Sequence, residues 1–186
     1  EEAVAAFTDL DLRRLSYVRE NGTYSNADEQ YEKALCALLD ERPTSANYAR
    51  IAYELAYLYK KQGMGWRSGR KAEHRNKLVE AYKLCEEIIK QRSATTLTTY
   101  ARNLQKEITA PARSINIEPN QAPNTPILYK ATYRNVDNIH FFVYKLAENE
   151  TLQVSRYDYK EKLKNRKPAA TYEAKTVSQP DYQQYS

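Results

Sequence analysis

Residues 97–117, LTTYARNLQKEITAPARSINI, contain the point at which the hydrophobic pattern of the chain changes its period. Up to Ile108, apolar side chains recur at the spacing of one helix face. The residues on this face are Leu97, Tyr100, Ala101, Leu104 and Ile108. Pro111 cannot continue a helix interior, because it lacks a backbone N–H and its ring clashes with the preceding turn. Beyond it Ile115 and Ile117 alternate with polar residues, as in a half-buried strand. A helical part of the chain is therefore predicted to end near Pro111, where a β part begins.

The predicted fold class is α+β, with a helical domain at residues 1–110 and a β domain at residues 111–186. A chain of 186 residues, 41% of them hydrophobic and 28% charged, is long enough for one or two folded domains without disulfides or metal. No apolar run reaches the roughly 20 residues of a membrane-spanning helix, and Glu1-Glu2 does not begin a basic, apolar leader. We expect that a leader has been removed or that the chain is a piece of a longer protein, whose membrane anchor, if any, lies outside it.

The net charge of +5 and the isoelectric point near 9.0 do not by themselves predict a nucleic-acid partner. Lysine and arginine alternate with glutamate and aspartate along the predicted helices, as on solvated helix faces. The densest basic run, residues 160–167, is either a solvated surface segment or a site for an anionic partner. Few aromatic residues that could stack on bases lie beside it. We expect no nucleic-acid binding.

The helical part carries a repeated spacing. Helices are predicted at Val4–Val18, Asp28–Leu39 and Ala46–Gln62, then around Leu78–Ile89, and last up to Ile108. Tyr31, Leu35, Leu38 and Pro43 have the same spacing as Ala81, Cys85, Ile88 and Ser93. Between them, Leu55, Ala56, Tyr59 and Gly63 stand where the first helix of a tetratricopeptide repeat carries Leu, a small residue, Tyr and Gly. This spacing resembles such repeats, in which antiparallel helix pairs stack. Because the segment between Gly63 and Ala81 is roughly a dozen residues too long, we predict a repeat-like stack and no regular superhelix.

In the C-terminal part, two runs rich in aromatic and β-branched residues are predicted strands, Ile127–Arg134 and Ile139–Leu146. The residues between them, 135–138, are Asn-Val-Asp-Asn, which predicts a turn and hence a β-hairpin. Thr171–Val177 is a further strand candidate. A lone hairpin is marginally stable in water, so we expect a partial β domain that needs more strands.

The sequence contains no recognisable catalytic, cofactor or metal motif. Its two histidines, His74 and His140, and its two cysteines, Cys36 and Cys85, do not have zinc-site spacing. Both cysteines lie on apolar helix faces, and whether they form a disulfide is left open by the sequence. No nucleophile elbow, phosphate loop or dinucleotide fingerprint occurs. We therefore expect no enzyme and no cofactor, although a reactive, low-pKa thiol would revive the enzyme hypothesis.

Tyrosine is abundant, with 17 residues. Tyr48, Tyr53, Tyr57 and Tyr59 lie on one predicted helix, and the only tryptophan, Trp66, follows it. Such rings either fill helix interfaces or form an aromatic groove for a peptide or a neighbouring domain. In the second case the candidate binding residues are Tyr53, Tyr57, Trp66, Arg67 and Arg70, with the arginines as polar anchors.

Four short segments of the chain form a set: Ala81-Tyr82-Lys83-Leu84-Cys85, the helix end at Leu104–Ile108, Ser114-Ile115-Asn116-Ile117-Glu118 with prolines following, and Tyr133-Arg134-Asn135. Together they resemble the N-terminal region of alpha-2-macroglobulin-like proteins of Bacteroidetes-type bacteria. The last residues, Pro180-Asp181-Tyr182-Gln183-Gln184-Tyr185-Ser186, are similar to a Leu-Pro-x-x-x-Asp-Tyr-Gln pattern of the first macroglobulin domain.

The resemblance implies a helical region followed by the first seven-stranded macroglobulin β-sandwich of a long, exported cell-envelope protein that traps proteases. It implies a periplasmic or outer-membrane-associated location, and as partners the other domains of the same chain and proteases or peptides. The family's thioester motif is not present at either cysteine. We therefore expect a noncatalytic structural and interaction module. The alternative is a free-standing tetratricopeptide-like adaptor that binds peptides by itself.

Overall fold

The part of the chain that the computed structural model describes contains five α-helices and four β-strands. It comprises residues 2–41, 45–67, 72–91, 96–118, 122, 125–147, 163–176 and 179–186. The helices are α1 (Glu2–Asn21), α2 (Ala27–Glu41), α3 (Ser45–Gly65), α4 (Lys77–Lys90) and α5 (Thr96–Thr109). The strands are β1 (Ala112–Ile117), β2 (Tyr129–Arg134), β3 (Asn138–Val143) and β4 (Ala170–Lys175). The fold is therefore mixed α and β, and the change from helix to strand falls at Pro111 as predicted.

The helices pack in chain order around one apolar core, because each carries an apolar stripe at helical spacing. α3 lies at the centre of the stack and contacts every other helix. The largest fully buried apolar side chains of this core are Leu35, Ile51, Leu58, Leu78, Ile88 and Ile108. All five predicted helices are confirmed. The likeness of this stack to tetratricopeptide repeats stays a prediction from the sequence.

The predicted buried face of α1 is only partly correct. Leu12 is buried beside Thr8, but Phe7 and Val18 stay 65% and 49% exposed. Phe7 comes directly before the buried Thr8, and Val18 directly before Arg19, whose side chain is only 16% exposed. One position along a helix is a turn of about 100°, so Phe7 and Val18 point away from the buried face. Gly22 ends the helix, and its backbone N–H donates a hydrogen bond to the Val18 carbonyl at 2.8 Å.

The end of α3 was predicted at Gln62, but the helix continues through Gly63 to Gly65. A Cβ atom on Gly63 would lie 2.7 Å from Cγ of Leu78, which is closer than packed carbon atoms come. Gly63 therefore serves the close approach of α4 and does not break the helix.

The four strands pair differently from the prediction. β1 pairs antiparallel with β2, and β3 pairs antiparallel with β4, giving two separate two-stranded sheets. The predicted β2–β3 hairpin is thus wrong. One edge of β2 is occupied by β1, and on the other edge Tyr133 forms an antiparallel bridge with Tyr185. The Thr171–Val177 strand is confirmed from Thr171 to Lys175. Thr176 already lies beyond the end of β4, and 177 lies outside the described residues.

The chain divides into two compact units. One contains residues 1–135 and 179–186, so that β1 and β2 belong with the helices, and the other contains residues 136–178. The units therefore separate at Asn135, whereas the secondary structure changes at Pro111. Ile115 and Ile117 were expected on the buried side of a half-buried strand, yet both are about half exposed, at 47% and 55%.

Candidate functional site

Tyr53 and Tyr57 lie one turn apart on α3 but in different surroundings. Tyr53 is half-buried, with its ring centroid 5.9 Å from that of Tyr100 on α5. Burial, and then the charge of Glu54, raise the pKa of Tyr53. Tyr57 is 48% exposed, and the ammonium group of Lys60 lies 5.7 Å from its ring centroid. Tyr57 is thus the predicted tyrosine that presents its ring to solvent.

Two of the other predicted binding residues, Trp66 and Arg67, lie at the C-terminal end of α3. Trp66 is only 8% exposed. Arg67 donates hydrogen bonds from Nη1 to the carbonyl oxygens of Met64, at 2.9 Å, and Trp66, at 2.7 Å. Its guanidinium thus lies at the C-terminal end of α3, where a cation is favoured by the helix dipole. Arg70 lies outside the described residues, as do residues 160–162 of the basic run.

A groove of about 570 Å³ lies between α3, the end of α5 and β2. We call it the α3–α5 groove, and it is lined by Tyr57, Lys60, Lys61, Met64, Glu107, Ala110 and Arg134. Lys60 forms an ion pair with Glu107 across it. Lys61 is exposed and forms no ion pair with any described residue.

Arg134 has an unusual environment for a guanidinium group. Its Nη1 atom lies 2.6 Å from the Met64 sulfur, and its Nη2 atom lies 3.4 Å from the carbonyl oxygens of Glu107 and Ala110. Its Nε atom is buried without a hydrogen-bond partner, and no carboxylate of the described chain pairs with the group. Burial lowers the pKa of Arg134. Within the described part of the chain, the polar contacts of its guanidinium are the Met64 thioether and the carbonyl oxygens of Glu107 and Ala110.

A second polar site is formed by the last residues of the chain around Asp181, which is 6% exposed. Asp181 accepts hydrogen bonds from the Tyr185 hydroxyl at 2.5 Å, the Gln183 backbone N–H at 3.1 Å and Nε of Arg75 at 3.2 Å. Gln183 is buried and donates from Nε2 to the Arg75 carbonyl at 2.8 Å. The Asp181 hydrogen bond, with a contribution from Tyr185, raises the pKa of Arg75. The bonds to Arg75 attach residues 179–186 to the turn before α4, and the backbone bridge between Tyr185 and Tyr133 attaches them to β2.

The β1–β2 sheet has one apolar face. In its register Ile115 lies opposite Ala131 and Ile117 opposite Tyr129, so that all four side chains point the same way. Tyr129 is 46% exposed, and Ile115 and Ile117 are 47% and 55% exposed. These residues therefore form an apolar patch that is about half open to solvent.

The residue types considered for catalysis were cysteine and histidine. Cys36 and Cys85 are both free thiols. Burial raises the pKa of Cys85 to about 12, the opposite of what activates a thiol. Nε2 of His74 lies 3.7 Å from a carboxylate oxygen of its neighbour Glu73. Among the described residues no cluster of three His, Cys, Asp or Glu side chains could hold a metal ion, and no helix is both long and apolar enough to cross a bilayer.

Sequence reasoning missed the residues that complete the α3–α5 groove, namely Lys60, Lys61, Glu107 and Arg134. Arg134 was singled out only as part of a short motif. Its placement depends on β2 returning to the end of α5, a contact between residues far apart in the chain. Charged residues on an exposed helix face carry no signal of their own in the sequence.

The chain matches no family model, no curated protein and no solved structure. The alpha-2-macroglobulin family therefore stays a prediction from the motifs in the sequence.

Proposed function

We propose that the chain is a noncatalytic structural and interaction module in the N-terminal region of an exported alpha-2-macroglobulin-like protein. Its partners in this proposal are further domains of the same polypeptide, and protease trapping is a property of the whole protein. The location would be the periplasm or the outer membrane.

The observation that carries this proposal is the open apolar face of the β1–β2 sheet. Two strands alone are marginally stable in water, and an apolar sheet face is normally covered by a second layer. Ile115, Ile117 and Tyr129 are each about half exposed on this face. Further strands of a β-sandwich would cover them and would also extend the sheet at the outer edge of β1.

The motifs behind the family resemblance have structural roles that fit a rigid module. Arg134 and Asn135 contact the carbonyls at the end of α5, and Asp181 and Gln183 bind Arg75 before α4. Both motifs therefore attach β structure to the helical stack. This supports a scaffold role, in which the helices and the first strands are held as one unit.

Backbone hydrogen exchange tests the proposal. Because both backbone groups of Tyr133 bond to Tyr185, the ladder geometry directs the N–H of Arg113, opposite Tyr133, away from β2. The same geometry applies to Ile115 and Ile117. We expect these three amides to exchange at least about tenfold more slowly in the full-length product of the gene than in the 186-residue chain. Equal rates in the two proteins would show that no strand joins this edge, with the Leu104 amide in α5 as the control.

A second candidate function is that of a peptide-binding adaptor, which the α3–α5 groove favours. An adaptor would bind a peptide with the 186-residue chain alone, whereas a scaffold module needs its neighbouring domains. Peptide titration of the isolated chain therefore separates the two functions.

A further inference from the structure

We infer that the α3–α5 groove binds an extended acidic peptide segment, in which carboxylate side chains alternate with apolar ones. A carboxylate would meet Arg134 and Lys61, and an apolar side chain would meet Tyr57 and Met64. The inference deepens the peptide-binding candidate and rests on it. It does not depend on the macroglobulin-like proposal.

The charges of the groove favour an anionic ligand. The groove is lined by three cations and one acid, and Lys60 is already paired with Glu107. Lys61 and Arg134 have no carboxylate partner in the part of the chain that the structure describes. A partly buried guanidinium without a counter-ion is costly, and its planar fork matches a carboxylate in a bidentate arrangement. The groove therefore favours an anion, and a carboxylate in particular.

The apolar residues of the groove favour a ligand that also has an apolar part. Tyr57 offers a ring that is 48% exposed, and Met64 offers a flexible, polarizable side chain next to Arg134. Tyrosine rings are typical of peptide-binding surfaces because they bury much area at low entropic cost, and methionine because its flexible thioether adapts to different ligands. A ligand with a carboxylate and no apolar part would leave these side chains in water. A volume of about 570 Å³ is that of a site for a few peptide residues.

Met64 makes the inference directly testable, since it is the only methionine of the chain. With ¹³C-methyl methionine labelling, the 186-residue protein gives a single methyl NMR signal from within the groove. The probe is the peptide acetyl-Leu-Asp-Leu-Asp-Leu-amide, and the matched control is acetyl-Leu-Asn-Leu-Asn-Leu-amide. Sodium acetate at the same carboxylate concentration is the third arm. Backbone ¹H–¹⁵N spectra are recorded in parallel.

We expect the aspartate peptide to shift the Met64 signal in a saturable manner, while the asparagine peptide and acetate leave it in place. An equal shift with the asparagine peptide would overturn the carboxylate requirement. An equal shift with acetate would show adventitious binding of any carboxylate and would overturn the inference that the groove binds a peptide. Backbone shifts elsewhere without a Met64 shift would show that the chain binds the peptide at another site. That result would overturn the groove as the binding site and keep the peptide-binding function. The absence of any shift would overturn both.

Two variants test the roles of the cations. Lys61→Gln lies on the surface and should weaken binding of the aspartate peptide about two- to fivefold, as the loss of one exposed ion pair does. Arg134→Lys keeps the charge but removes the fork, and should weaken binding about tenfold. Lys33→Gln, an exposed change on α2, is the control and should leave the affinity unchanged. Unaltered affinity in both groove variants would refute the assigned contacts, and far-ultraviolet circular dichroism checks that each variant is folded.

Discussion

The side chain of Asn135 donates a hydrogen bond from Nδ2 to the main-chain oxygen of Ile108 at 2.9 Å. Ile108 is fully buried in the last turn of α5, where backbone carbonyls have no partner within the helix. Asn135 has a positive φ of 52°, a conformation that asparagine adopts more readily than most residues. The residue that follows β2 therefore caps the C-terminal end of α5 by binding a carbonyl 27 positions earlier in the chain.

We predict that Asn135→Ala destabilises the protein by about 2 kcal/mol, because it removes the hydrogen bond and places a Cβ residue with no local hydrogen bond in the left-handed region. Asn135→Gly should cost only about 1 kcal/mol, since it loses the hydrogen bond but tolerates the backbone. Urea unfolding followed by circular dichroism measures both values. Equal losses in the two variants would mean that the backbone conformation contributes nothing.

Asp181 gives a second prediction, for the attachment of the C-terminal residues. The backbone N–H groups of Tyr185 and Tyr133 each donate to the carbonyl of the other residue. Asp181→Ala should speed hydrogen exchange of these two N–H groups by about 10- to 100-fold. The reason is that the alanine variant loses hydrogen bonds from Tyr185, Gln183 and Arg75 at once.

The variant Arg75→Ala is the matched control for Asp181→Ala. The Arg75 side chain is 50% exposed, so its ion pair with Asp181 is screened by water. We expect an acceleration of less than about fivefold at the same amides. If the two variants behaved alike, the ion pair rather than the buried carboxylate would hold these residues.

The helices could be predicted from the sequence because their burial pattern is local. Leu104 and Ile108 are buried as their spacing indicates, and Pro111 ends the helical period. Strand pairing could not be predicted in this way. The turn chemistry of 135–138 fits a hairpin, but the choice between partners depends on contacts made by Asn135 and Tyr185 with distant residues.

The candidate site could be predicted only in part, for a similar reason. Tyr57 was found because aromatic residues on a helix are visible in the sequence. The sequence alone could not separate Trp66, which is buried, from Tyr57, which is exposed. Arg134 could not be assigned to the groove, since its neighbours Met64 and Glu107 come from two other elements.

Two glycines near the end of α3 provide a third prediction. Gly63→Ala should destabilise the protein by about 1–3 kcal/mol, because its Cβ would overlap the Leu78 side chain and push α4 outward. Gly65→Ala meets no atom within 4 Å and should be neutral or stabilising by up to about 1 kcal/mol. Thermal unfolding of the two variants side by side measures the difference. A stable Gly63→Ala protein would show that α4 can move away from α3 at little cost.

The fourth prediction concerns the pH dependence of an ionic cluster that joins α2 to α4. Nζ of Lys77, whose side chain is 13% exposed, lies 2.7 Å from Glu32 and 3.1 Å from Glu80. The same atom is 3.7 Å from the ring centroid of Tyr59. Burial alone would raise the pKa of Glu32, but hydrogen bonds from Lys77 and Gln62 lower it. Burial would lower the pKa of Lys77, and the bonds to the two glutamates raise it.

The sign of the effect follows from these directions. A carboxylate whose folded pKa lies below its unfolded value of about 4.3 stabilises the protein above that pH, and the contribution is lost as the pH falls through the folded pKa. A lysine with a raised folded pKa contributes below about pH 10.4 and loses the contribution as the pH rises through the folded value. Glu32→Gln should therefore cost roughly 1–3 kcal/mol at pH 7 and progressively less below pH 4.

Glu80→Gln is the control for this prediction, because Glu80 is 45% exposed and its pair with Lys77 is worth less than about 1 kcal/mol. Urea unfolding of the wild type and both variants at pH 7, 5 and 3 gives the required differences. The gap between wild type and Glu32→Gln should narrow at pH 3, whereas the Glu80→Gln gap should be small throughout. A Glu32→Gln gap of the same size at pH 7 and pH 3 would show that the lost stability comes from packing around the side chain and not from its charge.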